Sequence, residues 1–247
     1  MTSRPTSDVR RPTPDEDVSV LGDCLTFIQS RRGWRFGIDA VLLARHVLAG
    51  PRGAVLEVGT GCGVVAALLA ASGWEDAIVA VEVQPALADR ARRNVAANAL
   101  EDRVSVVEAE ARDLVPVLAD RTFARVVSNP PFWPAGSGRT NPHPERAIAR
   151  HELAIDMAGI MAVVASRLAP GGLATILYPA AREGEACAAA AAAGLRVVRT
   201  TPAVPGPGRP PRLVILDIRH GRGGSPERAA AVSMMRSLTA PDADTRF

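Results

Sequence analysis

Four residues at the end of an apolar run, Asn129-Pro130-Pro131-Phe132, carry the most specific chemistry in the chain. The two prolines stiffen the backbone and have no N–H to donate. That leaves the Asn129 amide oxygen and the Pro130 carbonyl as fixed acceptors. Two acceptors aimed at one point suit a planar NH2 group with two hydrogens. The Phe132 ring just beyond can stack on a flat base, a contact worth about 1–3 kcal/mol. An exocyclic base amine is a poor nucleophile because its lone pair is conjugated with the ring. Holding both N–H groups favours a pyramidal nitrogen and stabilises the positive charge developing on it, the mirror image of an oxyanion hole. The transferred group then needs only in-line placement, and no strong general base is required. A strand-ending turn would explain the prolines but not the Asn and Phe around them.

A second motif supplies a binding loop. Glu57-Val58-Gly59-Thr60-Gly61-Cys62-Gly63 lies between an apolar run and a helical stretch. Glycines there let the backbone turn tightly and approach a ligand. The spacing is GxGxG rather than the GxGxxG of a dinucleotide fold. A carboxylate beside the loop disfavours a pyrophosphate and favours a ligand with positive charge. S-adenosylmethionine, which has an ammonium and a sulfonium, fits that description. Glu82 ends the next apolar run and is placed to accept hydrogen bonds from both ribose hydroxyls; Val83 follows it. Glu110, or less well Asp113, can meet the adenine amine. The expected cofactor set is Glu57, Gly59, Thr60, Gly61, Gly63, Glu82, Val83, Glu110, Asp113 and Asn129. Cys62 reads as a small spacer.

Positioning these residues requires a sheet. Residues 54–58, 77–83, 104–107, 123–128, 173–178, 195–200 and 213–219 read as strands, and 39–49, 64–71, 85–98, 156–168 and 182–193 as helices. Strands that are near-continuous apolar runs alternating with helices argue a parallel sheet buried on both faces. The last two strands flank only a Pro/Gly-rich loop (202–211), which suits an antiparallel pair. The expected fold class is α/β, Rossmann-like: a seven-stranded, mostly parallel sheet with an antiparallel last strand and helices on both faces. The expected organisation is a flexible tail (1–17), a hairpin and helix packing on the core (18–49), the main domain (50–220), and a C-terminal helix, over 227–238, with a tail (221–247).

Composition narrows the partners. The 247 residues are 47% hydrophobic and 22% charged, the balance of a globular chain. The sequence contains no lysine, so mechanisms that need a lysine amine are excluded. A net charge of +3 permits a nucleic-acid partner without demanding one. Arg31, Arg32 and Arg35, interleaved with Trp34 and Phe36, and Arg139, Arg146 and Arg150 beyond the tetrapeptide form the expected RNA-binding surface. Three scattered cysteines with no CxxC pair argue against a zinc site or disulfide framework, so no metal is expected. No apolar run approaches the roughly 20 residues of a membrane helix, and the N-terminus lacks a signal core. The expectation is a soluble, reduced, cytoplasmic protein with no membrane partner. Asp39 either lines the donor pocket or caps a helix. His151-Glu152 is expected to position structure or RNA rather than to catalyse.

Over residues 50–220 the chain resembles the class I S-adenosylmethionine-dependent methyltransferases. The tetrapeptide matches the (N/D/S)-P-P-(Y/F/W) signature of those acting on planar exocyclic amines. Arg35-Phe36-Gly37-Ile38-Asp39-Ala40-Val41-Leu42-Leu43-Ala44 and Arg146-Ala147-Ile148-Ala149-Arg150-His151-Glu152 resemble segments of the bacterial tRNA1(Val) N6-adenine methyltransferases. The resemblance implies methyl transfer from S-adenosylmethionine to N6 of an anticodon-loop adenine in a valine tRNA. Phe132, where Tyr is commoner, also matches the guanine-N2 methyltransferases of ribosomal RNA. Methylation of guanine, or of a protein glutamine amide, is the alternative.

Overall fold

The computed structural model describes residues 11–22, 25–130, 132 and 155–234. Pro131, Arg139, Arg146, Arg150, His151 and Glu152 lie outside the described residues. The described residues open with an antiparallel hairpin, β1 (Glu16–Leu21) and β2 (Leu25–Ser30), within the stretch where a hairpin is expected. The expected tail is therefore too long by its last residues: Glu16 and Asp17 belong to β1. Helix α1 (Ile38–Leu48) follows. The alternating part then runs β3 (Val55–Val58), α2 (Val64–Ala71), β4 (Ile78–Glu82), α3 (Pro85–Ala97), β5 (Val104–Glu108), α4 (Val115–Leu118), β6 (Phe123–Ser128), α5 (Met157–Arg167), β7 (Leu168–Pro179), α6 (Glu183–Ala192), β8 (Leu195–Val204) and β9 (Leu213–His220).

The main sheet has the order β5-β4-β3-β6-β7-β9-β8. Its first five strands are parallel, and β9 runs antiparallel to both β7 and β8. Successive residues of β3 point to opposite faces. Val55 joins one core, with α1, α2 and Phe27 of the hairpin. Leu56 joins the other, with α5 and α6. Both faces of β3 and β4 are buried, which is why these strands read as unbroken apolar runs.

Two expectations fail, each for a backbone reason. Pro170-Gly171-Gly172 reads as a turn before a strand at 173, yet β7 starts at Leu168. Phe123 pairs with Leu168 and Arg125 with Leu173, so the Pro-Gly-Gly segment is an irregularity inside the ladder. The expected helix from Glu227 is replaced by two short strands, β10 (Glu227–Arg228) and β11 (Val232–Ser233), each parallel to β8. The outer edge of β8 offers unpaired backbone groups, and two-residue stretches suffice to satisfy some of them.

Helix α1 is tied down at its far end by His46, whose Nε2 lies 3.0 Å from Asp217 of β9. The hairpin is fastened to α3. Glu16 receives Arg90 at 2.9 Å and Arg93 at 2.6 and 2.8 Å. Burial alone would raise the Glu16 carboxyl, but these bonds and one from the Thr13 amide hold it down at about 2.

Candidate active site

The parallel register brings the motifs to one edge. Val58 pairs with Val81 on one side and Ser128 on the other. The next residues, Gly59, Glu82 and Asn129, therefore emerge together at the carboxyl ends of three strands. Chain order reverses between β3 and β6, and open α/β sheets bind ligands at that crevice. A cleft of about 650 Å³ opens there, lined by Gly59, Gly61, Glu82, Val83, Glu110 and Asn129 among others.

The glycine loop is held in a conformation that side chains resist. Gly59, Gly61 and Gly63 have φ of +73°, +60° and +84°. A Cβ on Gly63 would stand 3.2 Å from that of Ala91, and one on Gly61 would meet the Trp34 indole at 3.4 Å. Two carboxylates set the loop from below and beside. Glu57 is buried and accepts from the Thr60 hydroxyl (2.8 Å) and the Ala66 amide (3.0 Å). Burial pushes its carboxyl up to about 7 against those bonds, with help from the charge of Glu82. Glu82 accepts the Gly61 amide at 2.9 Å and the Gln84 amide at 3.0 Å, one on each oxygen. Each carboxylate oxygen has two lone pairs.

Asn129 has a divided environment. Its Nδ2 donates to Asp39 Oδ2 at 2.7 Å. Its Oδ1 is buried and has no hydrogen-bond partner among the described residues. Such an acceptor is costly to leave unmet, and it lies in the walls of both this cleft and an adjoining cavity lined by Trp34, Asp39, Glu57 and Thr60. Asp39 is not the cap of α1: Gly37 occupies that position.

The remaining expected residues separate. Thr60 and Pro130 line the cavities, whereas Gly63 supports the loop from behind. Asp113 is exposed and lines neither cavity. Phe132 is half-buried against the core and lines neither; its carbonyl accepts from Arg182 at 3.1 Å. Arg31 and Arg35 both pair with Asp17 of β1, at 2.8 and 3.2 Å, while Arg32 is exposed. Trp34, expected on an RNA surface, lines both cavities.

One buried residue was missed. Asn94 of α3 accepts the Ile28 amide (2.6 Å) and donates to the Ile28 and Cys62 carbonyls (3.1 and 2.8 Å), so it joins the hairpin to the glycine loop. The signal was a polar residue at helical spacing from Leu87, Ala91 and Asn98, on the buried face of α3. Among the described residues no three His, Cys, Asp or Glu could hold a metal, and no helix is long and apolar enough to cross a membrane.

The sheet order, the glycine loop and its acids define a methyltransferase of the Rossmann-like class. The chain belongs to the methyltransferase small domain family, which it matches over residues 35–177. Among its relatives is the tRNA1(Val) (adenine(37)-N6)-methyltransferase of Aeromonas salmonicida, 32% identical over 192 residues, covering 77% of this chain and 79% of the relative. That of Shewanella amazonensis is 30% identical over 189 residues, covering 76% and 79%. A methyltransferase structure from Pyrococcus furiosus shares the fold, with a TM-score of 0.59 at 19% identity over 78% of this chain and 87% of that one.

Proposed function

We propose that this protein methylates N6 of an adenine in tRNA, the anticodon-loop adenine of tRNA1(Val), in the cytoplasm and with S-adenosylmethionine as donor. The observation that carries the reading is the buried, unmet Oδ1 of Asn129 beside a glycine loop flanked by two acids. The names of the relatives, tRNA1(Val) (adenine(37)-N6)-methyltransferases, support the choice of substrate.

The residues fit the donor. Glu82, Val83 and Glu110 line the cleft, and glycine at 59, 61 and 63 leaves those three loop positions without a Cβ atom. When bound, S-adenosylmethionine supplies a methyl group on a cationic sulfur. Asn129 Oδ1 and the Pro130 carbonyl accept the two amine hydrogens of the base. This turns the nitrogen lone pair out of the ring plane and stabilises the charge that gathers on nitrogen. Glu57 lies buried under the loop; burial disfavours its ionised form, and a cation beside it would favour that form again.

The test is transfer of a labelled methyl group to unmodified tRNA1(Val), followed by nucleoside analysis. N6-methyladenosine is expected. Modification of guanosine in ribosomal RNA instead, with tRNA untouched, would overturn the substrate.

A further inference from the structure

We propose that Asp39 is a positioning residue that fixes which way the Asn129 carboxamide faces. The inference rests on the reading of Asn129 given above. A carboxamide has one accepting end and one donating end of nearly the same shape. Nothing in Asn129 itself decides which end enters the cleft, yet only the oxygen can accept an amine hydrogen. A carboxylate decides it, because an ionised carboxylate accepts only. With Nδ2 turned to Asp39 Oδ2 at 2.7 Å, Oδ1 is left for the cleft. The reverse orientation would set oxygen against oxygen and present two donors to a donor. A charge-assisted bond of this kind is about twice as strong as a neutral one.

The surroundings are built for this contact. Asp39 and Asn129 are 90 residues apart in sequence, on α1 and at the end of β6. Asp39 sits in the first turn of α1, and that helix is anchored at its other end by the His46–Asp217 contact. Gly37 leaves room for the carboxylate: a Cβ there would stand 2.5 Å from Asp39 Oδ1. The segment Phe36-Gly37-Ile38-Asp39 thus supplies a part to a site whose other parts come from the sheet.

Asp39→Asn keeps the size of the side chain and removes its power to choose, since its amide can meet either end of Asn129. The expected result is a fall in kcat of about 10- to 100-fold, less than the full loss of an acceptor. KM for tRNA and the dissociation constant for S-adenosylmethionine, read by calorimetry, should change less than about threefold, a small effect beside the tenfold that 1.4 kcal/mol produces. An independent readout needs no substrate. In 15N-labelled protein the Asn129 side-chain NH2 pair, assigned by its absence in Asn129→Ala, should move on Asp39→Asn while the backbone spectrum of β3–β6 stays in place. A wild-type kcat in Asp39→Asn would overturn the proposal. So would an unmoved NH2 pair, or a donor affinity that falls as far as kcat, which would make Asp39 a donor-binding group. Wild-type protein inactive on tRNA would sink the substrate assignment and leave the NH2 result to judge Asp39.

Discussion

The molecule buries carboxylates in two places and treats them oppositely. At the seam between hairpin and α3, Glu16 is surrounded by Arg90 and Arg93, and its carboxyl is held at about 2. At the cleft, Glu57 takes its hydrogen bonds from a hydroxyl and a backbone amide, and burial lifts it to about 7. Arginine is the chain's usual cation, yet no arginine lines either cavity among the described residues. The seam brings its own positive charge; among the described residues the cavities bring no arginine. Neither group's burial alone tells structure from function; its partners do.

The strongest way to break the comparison is Glu16→Ala. It leaves two buried arginines without their shared partner and should cost about 3–5 kcal/mol in denaturant unfolding. A loss below about 1 kcal/mol would mean the seam is no more than a surface pair. Next comes Asn129→Ala, which should lower kcat about 10²–10³-fold, as loss of one preorganised hydrogen-bonding group does elsewhere, with the fold and the donor affinity retained. Unchanged turnover would remove the acceptor from the mechanism.

The two acids should also differ in their response to pH. The folded value of Glu16 lies below the ordinary 4.5, so its contribution is complete above about 4.5 and fades as pH falls toward 2. Glu57 lies above 4.5, so the folded state holds its proton more tightly and its contribution fades as pH rises from 4.5 to about 7. Donor affinity should run the other way: ionised Glu57 favours a cation, so affinity climbs as pH rises through about 7 and then levels. Glu57→Gln should flatten that curve in a calorimetric titration; a wild-type curve in the variant would show that another group sets it. The smallest effect is expected for Arg31→Ala, whose exposed pair with Asp17 is worth no more than about 1 kcal/mol of stability.

The sheet was legible because parallel strands buried on both faces announce themselves as apolar runs. The glycine loop and Glu82 were legible because each abuts such a run. Asp39 was expected at the pocket, where it lies, but the partners of Asp39 and Asn94 were not read. Their partners, Asn129, Ile28 and Cys62, lie 32 to 90 residues away, and a choice of distant polar partner leaves no period in the sequence. The cue that did exist, a polar residue on an apolar helix face, says that a partner must exist but not which. β10 and β11 were illegible for another reason: two-residue pairings rest on main-chain groups that every residue has.

Asn94 has a consequence for how this chain can vary. One carboxamide closes both the hairpin backbone and the glycine loop. The N-terminal addition and the catalytic sheet therefore meet inside a single side chain rather than across a replaceable joint. A hairpin exchanged from a relative would have to bring a backbone of the same shape at residue 28, or the glycine loop would lose its footing along with it.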